Sequence, residues 1–328
     1  MTPSTPFPPR AYLLGAPKCG TTALAQYLSE HPGVSFSRGK EPHYYADDLD
    51  GLRTKRTLEA YRAGFPSLEA GKLLMEGSVW YLYSEVAVAN ILADRPDARF
   101  VVMLRDPVRM LPSLHRQLLN ALDEDVEAFD RAWDLSGERA AGRRVPPSCR
   151  APSTLVYTRT ALFGSMVERL FDLAGRENCL ILFQEEMRAD TAAVYGRVLS
   201  FLGLPPDGRT AFAPVNEAQR PRSRALQWLL HRGRPIREAV SGPIKRTLGL
   251  RSLGIQKRLS RANMVKTGGA VIPPGTAARV AAHHADDMRR LGRLLGRDLA
   301  GEFGWTIPPA PTPARADAGA ATASPRSP

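Results

Sequence analysis

The sequence predicts an α/β fold in which a central parallel β-sheet is flanked by helices. Short apolar runs alternate with amphipathic segments along the chain, a pattern typical of parallel strands joined by crossover helices. A glycine-rich loop joins the first apolar run to the first helix, so this unit is P-loop-like in its strand–loop–helix order. The chain of 328 residues is long enough to bury a sizeable core.

Five strands are predicted, because five runs are short, mainly apolar and bounded by turn residues. The run over residues 99–104 is the clearest, since only its first residue is polar. The predicted strands are Tyr12–Gly15, Val34–Phe36, Lys72–Ser78, Arg99–Leu104 and Cys179–Phe183.

Helices are predicted where apolar residues recur at helical spacing. The first begins at Thr21 and runs to about Glu30, where His31-Pro32-Gly33 ends it. The segment Glu124–Pro147 is acidic, then basic, then Pro-rich, and is predicted to be a surface excursion. The other predicted helices are Thr57–Phe65, Tyr83–Asp94, Val108–Leu122, Thr154–Ala174, Thr191–Leu202, Arg222–Val240 and Gly275–Leu299.

One domain is expected over residues 11–307, between a loose, disordered leader at 1–10 and a Pro/Ala-rich, disordered tail at 308–328. No apolar run approaches the roughly 18–20 residues of a membrane span. The first ten residues also lack the apolar core of a signal peptide. Three cysteines, an odd number without metal-ligand spacing, predict a reduced and cytoplasmic setting.

The loop Gly15-Ala16-Pro17-Lys18-Cys19-Gly20-Thr21-Thr22 is the strongest local motif. Its two glycines bracket a tight turn between a strand and a helix start, which directs backbone N–H groups and the helix dipole at an anion. The spacing is close to the nucleotide-binding pattern G-x-x-x-x-G-K-[ST]. However, Thr21 follows the second glycine, and the one lysine, Lys18, lies inside the loop. The loop therefore predicts a phosphate ligand without the geometry of a magnesium–ATP enzyme.

A second anion site is predicted where the strand 99–104 ends. Arg105 follows this strand directly, at the edge where open α/β sheets bind ligands, and Ser113 lies in the next helix. An arginine and a hydroxyl can hold one phosphate together. A magnesium-dependent kinase would need an acidic residue in the position of Arg105, so we expect a ligand with two phosphates and no metal.

Together these motifs resemble the sulfotransferase family that uses 3′-phosphoadenosine 5′-phosphosulfate (PAPS), over roughly residues 10–307. The resemblance implies the sulfotransferase fold. It also implies transfer of a sulfuryl group to a hydroxyl (or an amine) of a carbohydrate or small natural product, with adenosine 3′,5′-bisphosphate (PAP) as the second product. In that family the loop holds the 5′-phosphosulfate, and the arginine and serine hold the 3′-phosphate. The cofactor-binding residues implied here are Pro17, Lys18, Cys19, Gly20, Thr21, Thr22, Ala23, Arg105 and Ser113.

The segment Lys40-Glu41-Pro42-His43-Tyr44-Tyr45 is similar to the segment after the first helix in the bacterial and heparan-sulfate branch of the family. In that branch its glutamate is the proposed catalytic base. The resemblance thus implies that Glu41 is the base, with His43 as its orienter or the alternative base. Lys18 is expected to stabilise the leaving 5′-phosphate. No metal is implied.

The sequence departs from the heparan-sulfate branch at Gly77, where those enzymes carry a lysine near the active site. This change removes an expected contact with a sulfated-glucosamine acceptor. Trp80, Tyr81 and Tyr83 follow closely, and we expect them to offer stacking faces for a sugar ring or an aromatic acceptor.

Positive charge is concentrated in a basic segment, residues 219–266, within a lid region expected to extend to residue 270. The basic segment holds 13 Lys or Arg residues and one acid, a net of +12 that equals the formal net charge of the whole chain. The resemblance implies that it closes over the 3′-phosphate and adenine. Its charge also suits an acidic acceptor, or peripheral contact with an anionic membrane. No nucleic-acid-binding motif accompanies the charge, so no nucleic-acid partner is expected.

Two alternative functions make different predictions. A magnesium-dependent nucleotide kinase or NTPase would bind ATP only with Mg²⁺. A non-catalytic anion- or membrane-binding protein would bind liposomes through the basic segment and show no turnover.

Overall fold

A computed structural model describes residues 7–39, 41–213, 219–221, 264–266 and 272–310. Its main sheet consists of β1 (Ala11–Gly15), β2 (Val34–Phe36), β3 (Leu73–Gly77), β4 (Arg99–Leu104) and β5 (Cys179–Phe183). All pairings in this sheet are parallel, in the order β2-β3-β1-β4-β5. The predicted α/β fold with a central parallel sheet is therefore confirmed.

Helices connect the strands and cover the sheet. α1 joins β1 to β2, α3 precedes β4, and two residues separate the end of β4 from the start of α4. The helices are α1 (Thr21–Ser29), α2 (Leu58–Arg62), α3 (Ala87–Asp94), α4 (Pro107–Ala121), α5 (Phe129–Asp134), α6 (Ser136–Ala140), α7 (Phe163–Ala174), α8 (Gln184–Ala189), α9 (Thr191–Leu202), α10 (Pro274–Leu295) and α11 (Leu299–Phe303).

The central strands β1 and β4 form the middle of the core. Every residue of β1 is buried, and Phe100 through Leu104 have no exposed surface. In the sheet, Leu13 lies opposite both Gly77 of β3 and Val101 of β4. Because the strands are parallel, the segments that follow them leave from one edge of the sheet, where ligands bind in open α/β folds.

The last long helix is tied to α7 by a buried carboxylate. Asp287 of α10 accepts hydrogen bonds from the backbone N–H groups of Gly164 (2.7 Å) and Ser165 (2.9 Å) in the first turn of α7. Acidic groups are favourable at a helix N-terminus, so this contact stabilises α7 and fixes α10 against it.

The prediction that Glu124–Pro147 is a surface excursion is wrong. This segment forms α5 and α6, and Phe129 and Trp133 are buried. Arg139 and Glu124 form an ion pair at 2.7 Å in which both side chains are completely buried. Two of the charged residues that suggested a surface location therefore neutralise each other inside the fold, whereas Arg143 and Arg144 are exposed.

Two predicted helices also differ in extent. The predicted helix Thr154–Ala174 is a 3-10 turn at Pro152–Leu155 followed, after further turns, by α7. The predicted final helix Gly275–Leu299 ends earlier, because the chain turns at Gly296 with φ of 65° before Asp298 caps α11.

The ends of the basic segment form a small antiparallel pair, β6 (Gln219–Pro221) with β7 (Met264–Lys266). The predicted basic helix Arg222–Val240 lies outside the described residues, as do 1–6 and 311–328. Phe7, inside the predicted loose leader, packs its ring against Tyr61 and Phe65, so the leader prediction does not hold at that residue. Within the described ranges, no helix is both long and apolar enough to span a membrane.

Candidate active site

The glycine loop after β1 is held in a tight, unusual backbone conformation. Gly15, Lys18 and Gly20 have φ of 156°, 66° and 94°. A Cβ on Gly15 would lie 2.7 Å from the carbonyl oxygen of Met103, so the loop leaves β1 in close contact with β4. The loop therefore makes the predicted tight turn, with the Lys18 side chain exposed at its bend.

Helix α1 begins at Thr21, immediately after Gly20, and no side chain caps its first turn. The N-terminus of a helix carries N–H groups directed along its axis and the positive end of the helix dipole. Thr21 is buried, while Thr22 and Ala23 are partly exposed beside the loop. A phosphate group fits this arrangement, because a glycine turn before a helix N-terminus supplies donors and positive potential together.

The ends of β4 and β5 are tied to the same loop. Arg105 Nη1 donates a hydrogen bond to the carbonyl oxygen of Lys18 (3.4 Å), and Gln184 Nε2 donates to that oxygen at 3.5 Å. The Nε atom of Arg105 is buried and has no hydrogen-bond partner among the described residues. Burial also lowers the pKa of Arg105. A bound anion would satisfy this partly desolvated guanidinium.

Ser113 lies on α4 and is partly buried, with its hydroxyl donating to the backbone carbonyl of Arg109 at 3.1 Å. No direct contact joins Ser113 to Arg105 among the described residues. Both stand in the segment that leaves the β4 end of the sheet. That they share one phosphate stays a prediction.

Asp106 follows Arg105 and has a structural role. Its carboxylate accepts the backbone N–H of Val108 (2.9 Å), so it caps α4. In the part of the chain that the structure describes, no group of three or more His, Cys, Asp or Glu residues could hold a metal ion.

The thiol of Cys19 is buried within the glycine loop. Its Sγ is buried and donates to the carbonyl oxygen of Pro17 at 3.5 Å. Burial raises the pKa of the thiol far above its ordinary value, despite the nearby Arg105 and Lys18. The side chain is therefore an apolar packing group.

Glu41 lies at the same edge of the sheet as the glycine loop. Its backbone N–H donates to the carbonyl oxygen of Gly77 at 2.8 Å, and Gly77 ends β3 beside β1. Glu41 has a positive φ of 70° and its side chain is partly exposed. The preceding residue, Lys40, lies outside the described residues.

His43 is buried directly behind Glu41. Its Nδ1 lies 2.9 Å from the carbonyl oxygen of Glu41, and its own N–H donates to Ser78 Oγ at 3.1 Å. Because a carbonyl oxygen only accepts, Nδ1 is the protonated nitrogen in this contact. This geometry favours the orienter interpretation, and the alternative base role stays a prediction.

The expected stacking faces are wrong for Trp80 and Tyr81. Both lie in a 3-10 turn, Val79–Tyr81, and are 4% and 0% exposed. Tyr83 is partly exposed, but its hydroxyl donates to the carbonyl oxygen of Ser153. The sequence pattern could not show that this turn folds inward, because aromatic residues suit a core as well as a ligand site.

Gly77 faces an aromatic ring. A Cβ at this position would lie 3.1 Å from Cζ of Phe36 on the neighbouring strand β2. Phe36 therefore occupies the space beside Gly77 at the sheet edge. A longer side chain here would require this ring to move.

Comparison with known proteins identifies the family. A family model described as "Sulfotransferase domain" matches residues 8–215, more than half of the chain. This chain belongs to the sulfotransferase domain family.

Several named proteins are similar to this sulfotransferase. Human "Heparan sulfate glucosamine 3-O-sulfotransferase 3B1" is 29% identical over 196 residues, which cover 60% of this chain and 46% of that protein. Human "Carbohydrate sulfotransferase 15" is 25% identical over 273 residues, covering 66% of this chain and 48% of that protein. The chain spans about half the length of these curated relatives.

A solved structure confirms the sulfotransferase fold. The structure described as a sulfotransferase from Alicyclobacillus acidocaldarius superposes with a TM-score of 0.65 at 22% sequence identity. The superposition covers 90% of this chain and 99% of that chain.

One buried group of this sulfotransferase was not predicted from the sequence. Glu76, the fourth residue of β3, is completely buried behind the Glu41–Tyr45 segment and accepts hydrogen bonds from Ser78, Tyr61 and Tyr81. Burial raises its pKa to about 7, although the three hydroxyls lower it. An acidic residue inside an apolar run, followed closely by a serine and a tyrosine, was the available indication.

Proposed function

We propose that this sulfotransferase moves a sulfuryl group from PAPS to a hydroxyl, or an amine, of a carbohydrate or small natural product. The observation that carries the proposal is the hydrogen bond from Arg105 to the carbonyl oxygen of Lys18. It joins the arginine assigned to the 3′-phosphate with the loop assigned to the 5′-phosphosulfate. Membership of the sulfotransferase family supports the same reaction.

The chain's own residues fit the two phosphate ends of PAPS. When bound, PAPS supplies a sulfuryl group whose departure leaves negative charge on the 5′-phosphate. The backbone N–H groups of Gly20–Thr22 would hold that phosphate at the start of α1, and Lys18 would stabilise the charge that develops there. The partly desolvated Arg105, with Ser113, would hold the 3′-phosphate.

Glu41 is the proposed general base. It stands at the sheet edge beside the loop, and its partly exposed carboxylate would accept the proton of the acceptor hydroxyl. His43, held on the carbonyl of Glu41, would keep this segment in place.

A glycan or a small hydroxylated molecule is the proposed acceptor class. The named relatives are carbohydrate and heparan sulfate glucosamine sulfotransferases, which supports a sugar hydroxyl. At Gly77, however, Phe36 fills the neighbouring space. We therefore infer that acceptor recognition here differs from that of the heparan-sulfate branch at this position.

Ligand binding and turnover test the proposal. PAP without magnesium should raise the melting temperature, whereas ATP with Mg²⁺ should have a smaller effect. Sulfur-labelled PAPS should then transfer label to a member of a panel of glycans and small alcohols, phenols and amines. Magnesium-dependent ATP binding without PAP binding would favour the kinase alternative, and PAP binding without transfer to any acceptor would favour a non-catalytic role.

A cytoplasmic location and peripheral contact of the basic segment with an anionic membrane are further proposals. They rest on the cysteine pattern and on the 13 basic residues between 219 and 266. Co-sedimentation with phosphatidylglycerol vesicles, compared with phosphatidylcholine vesicles, tests the membrane contact. Binding should be specific for the anionic vesicles and should weaken in high salt.

A further inference from the structure

A buried carboxylate stands behind the segment that carries the proposed base. Glu76 of β3 has no exposed surface, and its two oxygens accept three hydroxyl groups. Ser78 Oγ donates to Oε1, while Tyr61 and Tyr81 donate to Oε2 at 2.6 and 3.2 Å. Above its raised pKa of about 7 the ionised Glu76 only accepts, and in that form it is well suited to three surrounding donors.

Two of these hydroxyls connect Glu76 to the backbone of residues 41–45. Ser78 Oγ accepts the N–H of His43 at 3.1 Å, and Tyr81 Oη accepts the N–H of Tyr45 at 3.1 Å. Each hydroxyl therefore acts as a relay, because it gives its own hydrogen to Glu76 and uses a lone pair for a backbone amide.

The third hydroxyl makes no such relay. Tyr61 donates to Glu76, and its ring stacks on Tyr44 with centroids 4.5 Å apart. Its hydroxyl has no bond to the backbone of residues 41–45 among the described residues. Tyr61 thus shares the carboxylate but not the connection to the backbone, which makes it a matched control.

The segment needs such support because its backbone is unusual. Glu41 and His43 have φ of 70° and 50°, in the left-handed region that non-glycine residues avoid. Residues in this region persist when the surrounding structure holds them there. The relays act at His43 and Tyr45, directly after the proposed base.

We propose that Glu76 is a positioning residue which, through Ser78 and Tyr81, fixes the backbone at His43 and Tyr45 and so directs the side chain of Glu41 toward the acceptor. This inference rests on the proposed function, since it assigns a role relative to the proposed base. Glu76 itself has no exposed surface and so touches neither substrate.

The direction of every hydrogen bond depends on the carboxylate. In a Glu76→Gln variant the amide nitrogen would donate toward one of the three hydroxyls. In the place of Oε1 this nitrogen would face Ser78, and in the place of Oε2 it would face Tyr61 and Tyr81. A relay hydroxyl that faces it would lose the acceptor for its own hydrogen, because its other partner is a backbone N–H. The substitution therefore keeps the shape of the side chain but breaks one of the two relays.

Amide hydrogen exchange in the full-length chain tests the positioning directly. Exchange should accelerate about tenfold or more at His43 in Ser78→Ala and at Tyr45 in Tyr81→Phe, because each loses one protecting bond. Glu76→Gln should accelerate at least one of the two amides. Tyr61→Phe should leave both unchanged. The two relay variants keep the test valid even if Glu76→Gln folds poorly.

Turnover separates positioning from general stability. Glu76→Gln, Ser78→Ala and Tyr81→Phe should lower kcat by up to about 10²-fold, the effect of misplacing a reacting group. The Kd for PAP should stay unchanged in all of them. Tyr61→Phe should keep normal kcat even where its melting temperature falls as far as that of Tyr81→Phe.

Specific results would overturn the inference. Unchanged exchange at His43 and Tyr45 in all three variants would show that Glu76 does not hold the segment. An equal loss of kcat in Tyr61→Phe would show that only the stability of the aromatic cluster matters. If the wild-type chain transfers sulfate to no acceptor, the proposed function fails, and the exchange data still decide whether Glu76 fixes the backbone.

Discussion

Arg105 Nη1 donates a hydrogen bond to the carbonyl oxygen of Lys18, 3.4 Å away, and thereby joins two motifs that are far apart in the sequence. Gly15 and Met103 lie side by side where β1 and β4 pair, so the loop and the arginine leave the sheet together. The carbonyl oxygen of Lys18 thus links the glycine loop to the arginine proposed for the second phosphate.

Replacement of Arg105 by alanine should weaken the binding of PAP by about 10–100-fold, since a hydrogen bond to a charged group contributes about 1.5–3 kcal/mol. Adenosine 5′-phosphosulfate lacks the 3′-phosphate, so its affinity should change little. Isothermal titration calorimetry with both ligands measures the difference.

Arg105→Lys is the control, because it keeps the charge but loses the planar fork. It should recover part of the PAP affinity. Equal weakening of both nucleotides in Arg105→Ala would contradict the 3′-phosphate assignment and would mean that Arg105 mainly supports the loop.

Glu41→Gln should lower kcat by about 10²–10⁴-fold, the usual contribution of a positioned general base. The Kd for PAP should be unchanged, because Glu41 is assigned to the acceptor side. Initial rates with labelled PAPS and an accepted substrate provide the measurement. Glu59→Gln, an exposed residue on α2, is the matched control and should have normal turnover. A normal rate in Glu41→Gln would transfer the base role to His43.

The sequence was sufficient where short-range pattern determines structure. Apolar runs located all five strands of the main sheet, and the glycine spacing located the turn between β1 and α1. Long-range pairing decided the rest. Glu124 is buried because it forms an ion pair with Arg139. Trp80 and Tyr81 turn inward because their rings pack in the hydrophobic core. The hydrogen bonds of Glu76 come from residues of α2 and of the turn after β3, which sequence spacing cannot bring together.

Breaking the buried ion pair between Glu124 and Arg139 should strongly lower the free energy of unfolding. Arg139→Met leaves the Glu124 carboxylate buried without its partner, which should cost about 3–5 kcal/mol of unfolding free energy. Urea denaturation measures this loss. The double variant Glu124→Gln/Arg139→Met should recover part of it, because the unpaired charge is then removed.

An exposed pair supplies the comparison. Arg56 and Asp50 are also ion-paired, at 2.6 Å, but more than half of each side chain is exposed. Arg56→Met should cost no more than about 1 kcal/mol. Equal losses in Arg56→Met and Arg139→Met would contradict the view that burial makes the inner pair important.

Glu76 should make stability depend on pH. Burial raises its pKa from an ordinary 4.5 to about 7, and the hydroxyls of Ser78, Tyr61 and Tyr81 only partly offset this, while the charge of Glu41 adds to it. Between these two values the folded chain holds a proton that the unfolded chain has released. The stability that this proton provides is fully present below pH 4.5 and is lost as the pH rises toward 7.

A Glu76→Gln variant cannot titrate at this position. The unfolding free energy of the wild type minus that of the variant should therefore fall between pH 4.5 and pH 7 and level off above pH 7. Urea denaturation of both chains at several pH values gives this difference, in which groups common to both cancel. Glu41→Gln should lower the upper limit of the window, because it removes the charge that faces Glu76. A difference that is independent of pH would mean that the carboxyl group keeps an ordinary pKa.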